Sequence, residues 1–366
     1  MREGWTYKKF EDCLVKAPKA KQVQTSQYNE GTRYPIVSQE DKLISGFCDD
    51  DAYVFHIDNP IVVFGDHTRV LKYIDFDFVV GADGVKILIP KEFINAKFLY
   101  YYLLWYRVPN LGYSRHYKLL KEIELPTPSL SEQQSIVSEL DKINELISLK
   151  KAQLSDLDAL AQSIFYDMFG DPIENEKGWE VKKYGDCFTI GAGGTPSKSQ
   201  KEYWENGNIP WIGSNMCQNC IIKETDGRFI TEEGLNHSSA KLLDVDTVLV
   251  ALVGATIGKV ALLKTKTSTN QNVAFIKVNE SNDFISEYVY FHLMNQYSEF
   301  LLIGNGDFKM ANQAFIKSLS IMIPPLSLQQ EFAKRIELIE QQKAQISSTI
   351  KDLETLLASR MQYWFD

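Results

Sequence analysis

The segment Ser131–Phe169, SEQQSIVSELDKINELISLKKAQLSDLDALAQSIFYDMF, decides the architecture of this chain, and a second segment, Ser327–Phe365, follows the same plan. Neither contains Gly or Pro, the residues that most readily interrupt a helix. Mostly apolar side chains recur at alternating steps of four and three residues, which is the heptad seam of a coiled coil. The seam positions are Ile136, Leu140, Ile143, Ile147, Lys150, Leu154, Leu157, Ala161, Ile164 and Met168, then Phe332, Ile336, Ile339, Lys343, Ile346, Ile350, Leu353, Leu357, Arg360 and Trp364.

Each segment is predicted to form a helix about 58 Å long, at roughly 1.5 Å per residue. Ser131 and Ser327 follow Pro-containing segments and are expected to cap the helix N-termini, each with a Gln three residues further on. Two different seams on one chain bury each other most economically when the helices pair antiparallel. The alternative is that the two long helices lie in one ordinary globular core.

The sequences that precede the two helices are related to each other. Gly4–Cys13, GWTYKKFEDC, recurs as Gly178–Cys187, GWEVKKYGDC, with six of ten positions identical. Tyr34–Val37, YPIV, is echoed by Ile209–Ile212, IPWI, and the helix starts LSEQQ and LSLQQ also correspond. The second copy is longer between these landmarks. The chain is therefore predicted to be an internal repeat with pseudo-twofold symmetry.

The repeat predicts four segments along the chain. These are a globular part at residues 1–128, a helix at 129–170, a second globular part at 171–325 and a second helix at 326–366. Both globular parts contain a mixture of helix-like and strand-like patterns, so the predicted fold class is α+β. Strands are predicted at Ile61–Phe64, Val85–Ile89 and Thr247–Val250, and helices at Ala96–Trp105 and Ile285–Leu302.

Composition places the chain among globular proteins, with 44% apolar and 24% charged residues. Its net charge of −9 excludes a protein that grips nucleic acid by bulk positive charge. Residues 1–128 nevertheless carry equal numbers of basic and acidic side chains, so a local basic face is possible. The longest apolar run, Val248–Val253, is too short to span a bilayer, and no signal-like stretch follows Met1. An odd number of cysteines favours free thiols, and we expect a cytoplasmic protein.

Enzyme chemistry has few candidates. Gly254–Lys259, GATIGK, superficially resembles a phosphate loop but has three residues between its glycines where that loop needs four. Asp171, Glu180 and Lys182 are a set of the type that metal-dependent nucleases use, yet the first copy has Thr6-Tyr7-Lys8 where the second has Glu180-Val181-Lys182. Cys217–Cys220 lacks a second pair at zinc spacing. The one Pro-Pro pair lacks the preceding acid or amide of an amino-methyltransferase. We predict no catalytic residue and no metal site.

The motifs of the second copy resemble those of the specificity (S) subunits, HsdS, of type I restriction–modification systems. They are GGTPSK from Gly193, YW from Tyr203, GNIPWI from Gly207, GATIGKV from Gly254, NQNVA from Asn270 and IPPLSLQQ from Ile323, in the usual order of that family. The first copy is more divergent and has VFGDHTRV from Val63 in place of GATIGKV. Its helix junction PSLSEQQ still matches, and the resemblance covers essentially the whole chain.

The resemblance implies two target recognition domains, 1–128 and 171–325, each followed by a conserved spacer helix. Such a chain is a non-catalytic subunit in which each domain reads one half of a bipartite double-stranded DNA site. The helices would set the spacer and bind two methyltransferase (M) subunits. S-adenosylmethionine, ATP and Mg²⁺ would belong to the M subunits and the restriction (R) subunits, not to this chain, and no membrane is involved. The alternative is a coiled-coil scaffold whose globular ends bind proteins without DNA specificity.

Cations, hydroxyls and amides on Gly-rich or polar loops are the groups that contact DNA phosphates and base edges. In the first domain the candidates are Lys19, Lys21, Gln24, Thr25, Ser26, Tyr28, His67, Arg69, Arg115 and Lys118. In the second domain they are Gly194, Thr195, Ser197, Lys198, Lys201, Tyr203, Thr256, Lys259, Asn270, Gln271 and Lys309. For any one of them, a solvated loop residue or a turn cap is the alternative interpretation.

Overall fold

The computed structural model describes residues 4–31, 33–112, 114–278, 283–303 and 310–366, and the chain divides into two compact units. Unit 1 comprises Met1–Ala152 together with Ile346–Asp366, and unit 2 comprises Gln153–Gln345. Each long helix therefore contributes its first part to one unit and its last part to the other.

Unit 1 contains two four-stranded sheets and one strand pair within its described residues. Its strands are β1 Thr6–Lys9, β2 Leu14–Val15, β3 Tyr34–Val37, β4 Gly46–Cys48, β5 Val54–Phe55, β6 Ile61–Gly65, β7 Leu71–Ile74, β8 Phe78–Val80, β9 Val85–Pro90 and β10 Glu124–Thr127. The sheets have the orders β2-β9-β6-β7 and β4-β3-β8-β5, and β1 pairs with β10. The strands predicted at Ile61–Phe64 and Val85–Ile89 are confirmed as β6 and β9.

The described α-helices of unit 1 are α1 Ala96–Tyr106, α2 Tyr117–Leu120, the first part of α3, which spans Leu130–Phe169, and the last part of the second long helix, Leu326–Phe365. α1 begins where predicted because Asn95 caps it, with its Oδ1 accepting the N–H groups of Lys97 and Phe98 at 2.8 and 3.1 Å. The apolar side of α1 joins the start of α3 and the end of the second long helix in one hydrophobic core.

Within its described residues, unit 2 repeats this topology with one extra strand. Its strands are β11 Val181–Lys183, β12 Thr189–Ala192, β13 Ile209–Ile212, β14 Cys220–Ile222, β15 Phe229–Ile230, β16 Leu242–Leu243, β17 Val248–Ala251, β18 Val260–Leu263, β19 Thr267–Thr269, β20 Val273–Lys277 and β21 Ser320–Met322. Their orders are β12-β20-β17-β18-β14 and β15-β13-β19-β16, with β11 paired to β21. The matching strand orders confirm the internal repeat, and the insertion that carries β14 accounts for part of the extra length of the second copy.

The described α-helices of unit 2 are the last part of α3, α4 Tyr184–Cys187, α5 Glu232–Asn236, α6 Ser286–Met294, α7 Tyr297–Leu301, α8 Gln313–Ser318 and the first part of α9, which spans Leu326–Phe365. The prediction of one helix over Ile285–Leu302 is wrong, because the chain breaks between α6 and α7. Buried Gln296 donates its Nε2–H to the carbonyl O of Ser320 at 2.9 Å, which ties the break to β21.

The two long helices are confirmed, but the predicted caps are wrong. α3 begins at Leu130, and Ser129 caps it by accepting the N–H of Glu132 on its Oγ at 3.2 Å. α9 begins at Leu326, directly after Pro325, whose ring presets a φ close to helical values. Ser131 and Ser327 therefore lie inside the first turn, because the residues before them start each helix earlier.

In unit 1 the seams pack together as predicted. Ile136 and Leu140 of α3 are fully buried. Ile350 of α9 is also buried, with a small part of its surface exposed. Lys151 Nζ of α3 lies 3.1 Å from Glu354 Oε1 of α9. Further towards the end of α9, Arg360 and Trp364 both donate hydrogen bonds to Glu139. Because later residues of α9 contact earlier residues of α3, the pairing is antiparallel.

In unit 2 the other halves of the same helices also pair antiparallel. Lys343 occupies a seam position of α9, and its ammonium lies 2.7 Å from Asp158 Oδ1 of α3 and 2.7 Å from Glu340 Oε1. Phe165 and Phe169 of α3 pack edge-on against Phe332 of α9, with ring centroids 5.7 and 5.3 Å apart. The charged seam residue is therefore tolerated because two carboxylates pair with it.

One buried titratable group makes the stability of unit 2 depend on pH. Burial lowers the pKa of His292 to about 3. Its Nε2 accepts the N–H of Met322 at 3.2 Å, and its Nδ1 lies 3.1 Å from Tyr184 Oη. An unfolded histidine takes up a proton near pH 6.5, so protons favour the unfolded chain below that pH. This contribution to stability is fully present above about pH 6.5 and is lost as the pH falls towards 3.

We predict that His292→Gln removes this pH dependence. In the wild type, the free energy of unfolding falls by about 2 kcal/mol between pH 7.5 and pH 5 because of His292 alone. Urea unfolding of both proteins at the two pH values, followed by tryptophan fluorescence, measures the difference. His237→Gln is the matched control, because His237 is exposed. An unchanged pH dependence in His292→Gln contradicts the prediction.

Candidate nucleic-acid interface

The candidate loops of unit 2 emerge at one edge of its five-stranded sheet. Ala192, the last residue of β12, lies opposite Ala274 near the start of β20, and Ala251, the last residue of β17, lies opposite Val273. β18 begins next to them, antiparallel to β17. The GGTPSK, NQN and GATIGK segments follow or precede these strand ends. The register of the sheet therefore brings together motifs that are far apart in sequence.

Hydrogen bonds join the first two of these segments. Thr195 Oγ1 donates to Gln271 Oε1 at 2.5 Å, and the N–H of Gly194 donates to the carbonyl O of Thr269 at 2.8 Å. The carbonyl O of Gly194 in turn accepts the indole N–H of Trp211 at 2.9 Å. One cluster thus contains four of the candidates, namely Gly194, Thr195, Asn270 and Gln271.

The cluster also explains why a glycine stands at position 194. A Cβ added there would lie 2.3 Å from the carbonyl carbon of Ser239 and 2.4 Å from the backbone nitrogen of Ala240. Backbone atoms cannot move aside cheaply, so Gly194 allows the loop to pack against this segment. The structure thus assigns Gly194 a packing role, whatever contact its backbone makes with a ligand.

The other unit 2 candidates lie around this cluster or beyond it. Lys259 Nζ donates to Gln218 Oε1 at 3.1 Å, and Thr256 ends a single 3₁₀ turn, Gly254–Thr256. The exposed Ser197 and Lys198 continue the GGTPSK loop, and Lys201 and Tyr203 form the 3₁₀ turn that follows. Lys309 lies outside the described residues.

A second group of polar side chains, which sequence reasoning missed, surrounds Gly213. A Cβ at Gly213 would lie 2.8 Å from Asn215 Oδ1, 3.3 Å from Asn270 Nδ2 and 3.4 Å from Arg228 Nη2. Arg228 donates hydrogen bonds to Asp226, and they hold the pKa of that carboxyl below its usual value. An Asp-Gly-Arg turn before a short strand was the available signal in the sequence. It did not reveal which strand the arginine lies beside.

The corresponding edge of unit 1 carries the first-domain candidates. Gly65 at the end of β6 lies opposite Val85 at the start of β9, and Phe64 lies opposite Leu71 at the start of β7. VFGDHTRV therefore connects β6 to β7 as GATIGKV connects β17 to β18, and the two motifs are structural equivalents.

The loop with Lys19, Lys21, Gln24, Thr25 and Ser26 is held at this edge by its neighbours. The N–H of Val23 donates to the carbonyl O of Val80 at 3.0 Å, and Tyr28 Oη accepts the N–H of Ala82 at 3.1 Å. Lys19, Lys21, Gln24, Thr25 and Ser26 are all exposed. The loop also borders an open groove of about 420 Å³ that is lined by Lys16, Gln22, Lys86 and Tyr117 among others.

Buried Asp66 brings the remaining unit 1 segment to the same place. Its carbonyl O accepts the N–H of His116, and its Oδ1 accepts the N–H of Tyr117, both at 2.8 Å. The exposed Arg115 and Lys118 are held there as a result. Lys86, which sequence reasoning missed, has its Nζ 3.6 Å from Asp66 Oδ2.

Two candidates of unit 1 make hydrogen bonds within the fold, one through its backbone and one through its side chain. The backbone N–H of His67 donates to Gln39 Oε1 at 3.2 Å, and Arg69 Nη1 donates to the carbonyl O of Val108 at 3.2 Å. The structure thus places the Arg69 guanidinium against the end of α1. In the described part of the chain, no group of three or more His, Cys, Asp or Glu residues is placed to hold a metal, and no helix is long and apolar enough to cross a membrane.

The fold thus defines a duplicated two-unit protein, with polar loops at the same sheet edge of each unit and two long helices that pair antiparallel within each. The family model of the type I restriction modification DNA specificity domain matches residues 2–159 and, a second time, residues 176–355. The chain therefore belongs to this family.

Individual relatives agree with this assignment. The chain is 25% identical over 336 residues to the type I restriction enzyme EcoR124I/EcoR124II specificity subunit of Escherichia coli, covering 86% of this chain and 81% of that one. It is 29% identical over 232 residues to the MjaIX specificity subunit of Methanocaldococcus jannaschii, covering 55% and 53% of the two chains.

The crystal structure of a type I restriction–modification S subunit from M. genitalium has the same fold. It matches with a TM-score of 0.57 at 15% identity, over 99% of this chain and 96% of that one. A chain from a structural study of complex assembly and conformational transition in a type I system matches with a TM-score of 0.58, also at 15% identity, over 100% and 98%.

Proposed function

We propose that this chain is the DNA-recognition subunit of a type I restriction–modification enzyme, in which each unit reads one half of a bipartite DNA sequence. The observation that carries the proposal is the repeated placement of polar and cationic loops at the same sheet edge in both units. Loops of this composition supply phosphate contacts and base-edge hydrogen bonds. The same topology in both units supports one reading mechanism used twice.

The long helices are proposed to set the spacer between the half-sites and to bind the M subunits. α3 carries seven acidic and three basic side chains, a balance that suits contact with a protein better than contact with phosphates. On this proposal the M subunits supply S-adenosylmethionine and the methylation chemistry, and R subunits supply the ATP- and Mg²⁺-dependent cleavage. The chain itself has no catalytic role.

A binding experiment separates this proposal from the coiled-coil scaffold. The purified chain is mixed with duplexes that carry its methylated genomic sequence, with and without M subunits, and binding is followed by gel shift and footprinting. We expect sequence-specific protection of two half-sites by the complex. Indifference of the complex to sequence would favour the scaffold and overturn the proposal.

The two domains are expected to be separable in specificity. Replacing residues 1–128 with the first domain of another family member should change one half-site and leave the other as it was, since the loops of each unit lie on its own sheet edge. Mapping of methylated adenines in cells that express the chimera with its M subunits measures this. The reciprocal exchange of residues 171–325 is the control and should change the other half. Simultaneous change of both halves in either chimera contradicts modular reading.

A further inference from the structure

Arg228 of unit 2 is an arginine whose guanidinium is held in one orientation. Its carbonyl O accepts the N–H of Trp211 at 2.9 Å, so Arg228 extends β15 alongside β13. The guanidinium carbon lies 5.0 Å from the ring centroid of Trp211. Nε donates to both carboxylate oxygens of Asp226, at 3.1 and 3.0 Å, and Nη2 donates to Asp226 as well. One edge of the guanidinium is thus occupied by Asp226, and the group lies over the ring of Trp211.

The other edge of the guanidinium is accessible. The side chain of Arg228 is 43% exposed, and within the described residues its Nη1 makes no hydrogen bond. Nη2 also reaches Asn215 Oδ1, at 3.4 Å. This contact is at the limit of hydrogen-bond length, so a ligand acceptor can replace it at little cost. Nη1 and Nη2 together can therefore donate a bidentate pair of hydrogen bonds to a ligand.

The donor groups of Arg228 lie next to residues of the candidate nucleic-acid interface of unit 2. Asn215, Asn270 and Arg228 converge on Gly213. Asn270 is followed by Gln271, which accepts a hydrogen bond from Thr195. Trp211, beneath Arg228, donates its indole N–H to Gly194 of the GGTPSK loop. Arg228 thus lies beside side chains that the sequence marks as candidates for DNA contact.

We propose that Arg228 reads a guanine in the half-site recognised by unit 2, an inference that rests on the proposed function and deepens it. A bidentate arginine donor matches the O6 and N7 acceptors of guanine in the major groove. Adenine presents an amino group in place of O6, which would oppose the guanidinium N–H. The bonds to Asp226 and the cation–π contact with Trp211 hold the guanidinium in place, so little side-chain freedom is lost on binding.

The charge of the pair favours a base over a phosphate as its ligand. The carboxylate of Asp226 neutralises the guanidinium, and it would repel a phosphate that approached the same site. A phosphate-binding cation gains affinity from released counterions, which requires uncompensated positive charge. A neutralised arginine with a fixed geometry is instead suited to discriminate between base edges.

The test uses the complete complex with its M subunits and a library of duplexes randomised over the half-site of unit 2. That half-site is the one that stays unchanged when residues 1–128 are exchanged. We expect the wild type to require guanine at one position, and Arg228→Lys to reduce the preference for guanine there by about 5- to 150-fold. The other half-site should not change. Arg228→Gln should also lose the preference for guanine, because a glutamine amide pairs bidentately with adenine instead.

Asp226→Asn is the second variant, and it keeps the arginine while removing the group that orients and neutralises it. We expect weaker preference for guanine together with tighter, more salt-dependent binding to all sequences. Arg33→Lys is the matched control. Arg33 also pairs with an aspartate, Asp51, and lies 5.1 Å from the ring centroid of Tyr34, but at the opposite end of the equivalent strand, β3.

Three results would overturn the inference. One is an unchanged preference for guanine in Arg228→Lys and Arg228→Gln. Another is equal weakening for every sequence with a salt slope smaller by about one, the signature of a phosphate contact. The third is a change in both half-sites. Absence of any sequence preference in the wild-type complex would instead overturn the proposed function itself, so the two failures are distinguishable.

Discussion

Inserting four residues into each long helix is expected to lengthen the spacer of the recognised DNA sequence by one or two base pairs, with both half-sites unchanged. The insertion sites are after Ala152 in α3 and after Gln345 in α9, where the two units divide. Lys151–Glu354 lies on one side of these sites and Asp158–Lys343 on the other. Insertions of equal length therefore keep the cross-helix pairs on both sides intact.

The expected size of the effect follows from helix geometry. Four residues add about 6 Å to a helix and turn it by roughly 40° beyond one full turn. DNA rises by about 3.4 Å per base pair. The added length thus corresponds to nearly two base-pair steps, and a four-residue insertion leaves a stutter in the coiled coil without abolishing it.

Methylated-adenine mapping of the variant with its M subunits measures the spacer. A seven-residue insertion at both sites is the companion variant, because it restores the heptad, adds about 10.5 Å and should lengthen the spacer by about three base pairs. If either variant folds, assembles and retains the original spacer, the helices do not set the spacer. The scaffold alternative predicts no effect of either insertion on DNA sequence preference.

Gln329→Leu is expected to destabilise unit 2 by about 3 kcal/mol. Gln329 is fully buried at the start of α9. Its Nε2 donates to the carbonyl O atoms of Asp283 and Pro324, at 2.8 and 3.0 Å, and its Oε1 accepts the N–H of Ile285 at 3.0 Å. Leucine has a similar size but leaves these three backbone groups, one in a buried and two in part-buried hydrogen bonds, without the partner that satisfies them.

Urea unfolding of the variant and the wild type measures this effect. Gln330→Leu is the matched control, because Gln330 is the exposed neighbour of Gln329, and we expect a change within about 0.5 kcal/mol. Gln133→Leu tests the same junction in unit 1, since buried Gln133 bonds to the carbonyl O atoms of Phe93 and Pro128 and to the N–H of Asn95. A loss below 1 kcal/mol in Gln329→Leu would show that other groups hold the junction.

The sequence by itself determined the helical and repetitive parts of this protein. The seam from Ile136 to Met168 and its counterpart in α9 predicted both helices, because helix periodicity is a local property that is visible within one segment. The presence of two such seams on one chain predicted their antiparallel pairing. The repeat was visible because residues with the same structural role, such as Gln133 and Gln329, kept their identities. Motif order was enough to indicate the family.

Only the tertiary structure decided which side chains meet at the candidate interface. The caps of α3 and α9 and the break at Gln296 depended on neighbours such as Ser129, Pro325 and Ser320, which helix periodicity does not reveal. Arg228 joined the interface because β15 pairs with β13 and thereby places it over Trp211. Strand pairing is set by packing between segments that are distant in sequence. Local residue patterns can predict that a segment is a strand, but they do not predict which other strand it pairs with.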